Sequence, residues 1–117
     1  MRDLNYRSPL DADGRRFAPW LLDLLNGNGC YAVRDRETHR CLYVGMSKSS
    51  CLSKTIRRHF HRWRDDAGRK HFTYDRRRVQ IAVRLCPPDA VPGAERNLIA
   101  RLNPRDNGNG WPAEKPF

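Results

Sequence analysis

The sequence from position 29 to position 45 is GCYAVRDRETHRCLYVG. Its ends, 29–33 and 41–45, are short apolar runs, and the segment between them, 35–39, is polar and rich in turn-forming residues. Short apolar runs on either side of a turn are typical of two antiparallel strands. We therefore predict that these residues form a β-hairpin, which begins a small antiparallel sheet.

Four further elements are predicted around the hairpin. Apolar residues recur at helical spacing in 17–25, 52–63 and 94–102, so each of these ranges is predicted to be a helix. Residues 79–85 alternate apolar and polar side chains with the period of a strand that buries one face. The resulting order predicts an α+β fold in which a small three-stranded antiparallel sheet is flanked by helices.

The composition indicates one folded, strongly basic domain. The chain has 117 residues, with 23 Lys and Arg against 13 Asp and Glu, which gives a formal net charge of +10. We expect a helical extension over 1–28 that packs on the domain, the domain itself over 29–107, and an irregular tail over 108–117. A hydrophobic content of 38% excludes a wholly disordered polycation.

The sequence shows neither a membrane span nor a secretion signal. No segment approaches the length of apolar residues that crosses a bilayer, and the first residues lack the apolar core of a signal peptide. We therefore expect an intracellular, cytoplasmic protein with no membrane partner. Its four cysteines form no C-x-x-C pair, so we expect reduced thiols rather than a zinc site.

The segment from Lys54 to Arg78 concentrates the positive charge, with ten Lys or Arg against three Asp. So many like charges repel one another unless a polyanion binds them. We therefore predict that DNA binds here, with RNA as an alternative. A homodimer is also compatible with the sequence. The aromatic residues in this segment either stack on bases or pack inward. The side chains assigned to nucleic acid are Lys48, Lys54, Arg57, Arg62, Arg64, Arg69, Lys70, Arg76 and Arg77.

The hairpin carries Gly-Cys-Tyr at 29–31 and Tyr-Val-Gly at 43–45, and this pair resembles the signature of the GIY-YIG nuclease family. Later motifs are similar to the family's as well. His59 lies in the predicted second helix, Glu95 precedes a Leu-Ile pair, and a Pro-Arg-x-Asn turn ends at Asn107. The resemblance runs from 29 to 107 and keeps the family's order of motifs.

The resemblance implies an endonuclease that hydrolyses phosphodiester bonds in DNA with one divalent cation, Mg²⁺ or Mn²⁺. It implies that Tyr31 is the general base or orients the attacking water, and that Tyr43 supports it by hydrogen bonding. Glu95 would bind the metal ion, and Asn107 would tie the site together. From the residues alone, Glu95 shares a helical stripe with the apolar residues that follow it, so its carboxylate should face the covered side.

One position departs from the family pattern, because Thr55 occupies the place of its arginine. A threonine cannot supply the guanidinium that stabilises phosphate oxygens. Arg58 lies on the same helix face and is the predicted substitute. The departure leaves a catalytically inactive nucleic-acid-binding module of the same fold as the alternative function. His59 either shares the proton of the base, contacts phosphate, or merely packs.

A tyrosine acting as a base also needs help from its surroundings. The ordinary pKa of a tyrosine is about 10, so positive charge must lie nearby to favour the phenolate. The many cations of this chain are expected to provide that charge for Tyr31.

Overall fold

The computed structural model describes residues 4–24, 26–64, 70–72 and 74–107. Within these ranges the chain has three helices, two 3₁₀ turns and five strands, and the predicted α+β class is confirmed. In chain order they are α1 (Pro19–Leu22), β1 (Gly29–Asp35), β2 (Cys41–Ser47), α2 (Leu52–Arg57), a 3₁₀ turn (Arg58–Phe60), β3 (Arg62–Arg64), β4 (Lys70–Phe72), β5 (Val79–Leu85), a second 3₁₀ turn (Pro88–Ala90) and α3 (Val91–Leu102).

The main sheet has three antiparallel strands in the order β2-β1-β5, so β1 lies at its centre. The predicted hairpin is therefore confirmed, and both of its strands extend two residues beyond the apolar runs. Tyr31 lies opposite Gly45 on one side and Val83 on the other. This register decides which side chains meet above the sheet.

Both faces of the main sheet are covered. Because side chains alternate along a strand, Tyr31 and Val33 face a core that includes Leu52 and Ile56 of α2. Cys30 and its neighbours on the other face pack against α3. The alternation of β1 therefore separates a core under α2 from a core under α3.

The predicted second helix is shorter than expected. We predicted a helix over 52–63, whereas α2 ends at Arg57 and continues only as the 3₁₀ turn. The backbone carbonyl of His59 accepts a hydrogen bond from the N–H of Tyr74, at 3.0 Å, instead of continuing an α-helical ladder. His61 is already extended, and Trp63 lies in β3. The pairing of β3 with β4 was not predicted.

The other two helices differ only at their ends. The first was predicted over 17–25 and occupies Pro19–Leu22, with Pro19 in its first turn as expected. The last was predicted over 94–102 and begins earlier, at Val91. Pro92 fits there because the first turn of a helix needs no N–H donor. Among the described residues, no helix is long and apolar enough to span a membrane.

The outer edge of β2 is covered by the segment that follows α3. The N–H groups of Arg105 and Asp106 donate hydrogen bonds to the carbonyl oxygens of Cys41 and Leu42, at 3.1 and 2.9 Å. Such pairing protects an edge strand from association with another chain. It also brings residues 105–107 beside the middle of the hairpin.

Candidate active site

Tyr31 and His59 form a buried hydrogen bond at the centre of the site. The phenol oxygen lies 2.6 Å from Nε2 of His59, and the two residues are 2% and 7% exposed. Burial lowers the pKa of His59 from 6.5 to about 4, so the imidazole is neutral near pH 7. A neutral Nε2 accepts the phenol proton when the ring proton is on Nδ1. In that tautomer the phenol donates and the imidazole accepts.

Three tyrosine rings surround this imidazole. The ring centroids of Tyr31, Tyr43 and Tyr74 lie 5.6, 5.0 and 5.8 Å from that of His59. The rings of Tyr31 and Tyr43 are 6.2 Å apart. The two tyrosines of the hairpin motifs, which the sequence predicted to act together, thus meet at one histidine.

The glycines of the two hairpin motifs leave space that a side chain would fill. A Cβ at Gly45 would overlap the ring and hydroxyl of Tyr31. A Cβ at Gly29 would overlap the carbonyl oxygen of Arg84 on β5. Gly45 therefore allows the Tyr31 ring to lie across β2 towards His59, and Gly29 allows β1 and β5 to approach closely.

Glu95 on α3 contributes negative charge that acts on the same two phenols. Burial is the largest cause of the raised pKa of Tyr43, and the negative charge of Glu95 adds to it. Burial also raises the pKa of Tyr31 well above 10, with further contributions from Tyr43 and Glu95. The pKa of Glu95 itself is raised by its partial burial, against a lowering effect of Arg96. Glu95 is half-buried on α3.

The raised pKa of Tyr31 contradicts the expectation that cations favour its phenolate. Arg58 does lower this pKa, but burial outweighs it because the phenol is almost completely removed from water. The Tyr31 hydroxyl is therefore protonated. It can act as a base only if another group accepts its own proton.

The donor set fits one divalent cation held by a single carboxylate. Mg²⁺ is commonly bound by one or two carboxylates, with water and substrate phosphate completing its coordination. Glu95 offers a partly desolvated carboxylate. Within the described ranges, no three His, Cys, Asp or Glu residues cluster as a metal cage. Glu95 remains the residue that the resemblance assigns to such an ion.

Arg58 remains the predicted substitute for the arginine that Thr55 replaces. The Thr55 hydroxyl donates a hydrogen bond back to the carbonyl oxygen of Cys51, at 2.9 Å, so it is turned onto its own helix. Arg58 is exposed, and its charge reaches Tyr31. Arg57 is half-buried, and its Nε has no hydrogen-bond partner within the part of the chain that is described.

Asn107 acts on the backbone of β2. Its Oδ1 accepts a hydrogen bond from the N–H of Val44, and its Nδ2 donates one to the carbonyl oxygen of Val44, both at 2.8 Å. The amide side chain thus pairs with Val44 as an added strand would. Because Val44 lies between Tyr43 and Gly45, Asn107 holds the part of β2 that carries the motif.

Tyr74 and Asp106 belong to the site although the sequence did not single them out for it. The hydroxyl of Tyr74 donates a hydrogen bond to Oδ2 of Asp106, at 2.7 Å, and both residues are fully buried. Arg105 donates from Nε to Oδ1 at 2.8 Å and from Nη2 to Oδ2 at 3.0 Å. From the sequence, Tyr74 was one aromatic among several and Asp106 an ordinary turn residue. The only sequence feature that could have indicated Asp106 was its position directly before the predicted site residue Asn107.

The cations predicted to bind nucleic acid lie in several elements. Lys48, Lys54 and Arg77 are exposed, and Arg57 and Arg76 are half-buried. The guanidinium of Arg76 lies 5.5 Å from the centre of the Phe17 ring. The remaining four are Arg62 and Arg64 in β3, Lys70 in β4, and Arg69, which lies outside the described residues.

No protein-family model matches the chain, and no curated protein matches it either. What this site does must therefore be inferred from its own residues.

Proposed function

We propose that this protein is an endonuclease of the GIY-YIG type, which hydrolyses phosphodiester bonds in DNA with one Mg²⁺ or Mn²⁺ ion. The observation that carries the proposal is the 2.6 Å hydrogen bond between the Tyr31 hydroxyl and His59 Nε2. It joins a motif tyrosine to a neutral buried imidazole, which also lies against the Tyr43 ring, and the negative charge of Glu95 acts on that tyrosine.

The hydrogen bond gives the proton of the attacking water a path. Hydrolysis requires that water lose a proton as its oxygen bonds to phosphorus. The oxygen of Tyr31 takes that proton while its own proton passes to Nε2 of His59. The low pKa of His59 keeps the imidazole in its neutral form, which is the form that can take up a proton. For the same reason the imidazolium is short-lived, and it returns its proton within the turnover.

Charge on the phosphate is met by two groups. Arg58 is exposed beside Tyr31 and can donate to the non-bridging oxygens, where negative charge develops in the transition state. Glu95 would hold the divalent cation. When bound, that cation supplies positive charge for the departing oxygen.

The test is cleavage of supercoiled plasmid DNA in Mg²⁺ by the wild type and by Tyr31→Phe. Loss of the hydroxyl should slow cleavage by about 100-fold or more, the usual contribution of a general base. DNA affinity, measured by fluorescence anisotropy, should be unchanged because Tyr31 is buried. The matched control is Tyr6→Phe, which removes a hydroxyl from the core that packs against α3 and should cleave at the wild-type rate.

Two results would overturn the proposal. Cleavage by Tyr31→Phe at the wild-type rate would remove this residue from the mechanism. A wild-type protein that binds DNA but cuts it in neither Mg²⁺ nor Mn²⁺ would instead be the inactive nucleic-acid-binding module.

Glu95→Gln should raise the Mg²⁺ concentration needed for half-maximal cleavage, because it removes the charge that would bind the ion.

A further inference from the structure

We infer that Tyr74, anchored by its hydroxyl on the buried carboxylate of Asp106, is a positioning residue that holds the His59 imidazole against Tyr31. Its effect on catalysis rests on the proposed function, whereas its effect on the imidazole can be measured without any cleavage.

His59 needs support from outside its own turn. It lies in a 3₁₀ turn of three residues, for which the described residues supply no side-chain N-cap. The N–H of Tyr74 donates to the backbone carbonyl of His59 at 3.0 Å, and the Tyr74 ring lies 5.8 Å from the imidazole. Tyr74 therefore contacts both the backbone and the side chain of His59.

Tyr74 is itself held from the opposite side. Its hydroxyl bonds to Asp106, whose own N–H donates to the carbonyl oxygen of Leu42 on β2. Contacts thus run from the edge of β2 through Asp106 and Tyr74 to His59, and from there to Tyr31. The strand that carries Tyr43 and the turn that carries His59 are joined by this route as well as by the main core.

The charged end of this route favours positioning over simple packing. A buried ion pair generally stabilises a fold no better than apolar side chains of similar size would. An ionised carboxylate does, however, fix the direction of a hydroxyl that donates to it. Burial and the hydrogen bond to Asp106 raise the pKa of Tyr74 far above 10, so the hydroxyl remains a donor. The arrangement sets the orientation of the Tyr74 ring, and through it that of the imidazole.

The first test compares Tyr74→Phe with Tyr6→Phe in plasmid cleavage. Tyr74→Phe keeps the ring and removes only the anchor, so kcat should fall about 10-fold to 100-fold through misplacement of His59. KM for DNA should stay the same because Tyr74 is fully buried. Asp106→Asn retains an oxygen that accepts from Tyr74, and should keep more of the wild-type kcat than Asp106→Ala.

The second test follows the His59 imidazole directly by ¹⁵N NMR across pH in the same proteins. In Tyr74→Phe, the pKa of His59 should rise from about 4 towards 6.5, because a less firmly held ring is less completely buried. In Tyr6→Phe the titration should match the wild type. Thermal unfolding of each variant establishes that the protein is folded under the conditions used.

The outcomes separate this inference from the proposed function. A Tyr74→Phe protein with wild-type kcat and wild-type His59 titration would overturn the inference and leave the nuclease proposal intact. A lower kcat with an unchanged titration would also overturn it, because Tyr74 would then not act through His59. If the wild type cuts no DNA, the proposed function fails, and the His59 titration alone decides whether Tyr74 positions the imidazole.

Discussion

The buried imidazole of His59 should make the stability of this protein depend on pH, and His59→Gln should remove most of that dependence. His59 is 7% exposed, and burial lowers its pKa from 6.5 to about 4. Glutamine is uncharged at every pH of interest, and its side-chain oxygen can still accept a hydrogen bond from Tyr31. The substitution therefore removes the titration and retains an acceptor.

The sign and size follow from the two pKa values. Between pH 6.5 and pH 4 the unfolded chain binds a proton at this residue and the folded protein does not, so the free energy of unfolding falls as pH falls. The contribution is complete above pH 6.5 and lost by about pH 4. Each unit of difference in pKa corresponds to about 1.4 kcal/mol, so the total is about 3 kcal/mol.

The assay is urea unfolding at a series of pH values from 4 to 8, with linear extrapolation to water. The stability difference between the wild type and His59→Gln should shrink by about 3 kcal/mol between pH 7 and pH 4. The control is His61→Gln, which replaces an exposed histidine two residues away and should retain the wild-type pH dependence. Parallel stability curves for the wild type and His59→Gln would refute the reasoning.

Three further substitutions test the site. Gly45→Ala should lower the free energy of unfolding by about 2 kcal/mol, because the added methyl overlaps Tyr31; wild-type stability in urea would contradict this. Asn107→Ala removes both hydrogen bonds to the Val44 backbone and should cost about 2 kcal/mol in the same assay. An unchanged midpoint would show that water replaces the amide. Arg58→Ala should slow plasmid cleavage more than Arg58→Lys, and equal rates in the two variants would exclude a role for its charge.

Local sequence patterns predicted the elements whose shape is determined locally. The hairpin at 29–45 and the strand at 79–85 follow from alternation and turn residues, and both are present. The end of α2 depends instead on Tyr74, which is distant in sequence. Its N–H donates a hydrogen bond to the backbone carbonyl of His59. The helical periodicity of the sequence extends to Trp63, so the helix was predicted to end there. Periodicity alone cannot show that a tertiary hydrogen bond ends the helix earlier. The pairing of β3 with β4, which was not predicted, comes directly after this early end of the helix.

The sequence predicted some members of the candidate site, but it predicted neither Tyr74 nor Asp106 nor the electrostatics of the site. Sequence motifs named Tyr31, Tyr43, His59 and Glu95, and the fold brings them together. The predicted direction of the shift in the Tyr31 pKa was wrong. Net charge can be counted in a sequence, whereas burial is a property of the folded chain. The family assignment and the nuclease activity remain predictions that the cleavage assay decides.

The same burial moves the two partners of the central hydrogen bond in opposite directions. It raises the pKa of Tyr31 and lowers that of His59, so the proton lies firmly on the phenol oxygen. The isolated site is therefore poised as a donor and an acceptor rather than as a preformed base. A phosphodiester carries negative charge, and negative charge near an imidazole favours its protonated form. The same negative charge disfavours the Tyr31 phenolate, as that of Glu95 does, so in the proposed reaction the Tyr31 oxygen takes the water proton as it passes its own proton to His59, and no phenolate accumulates.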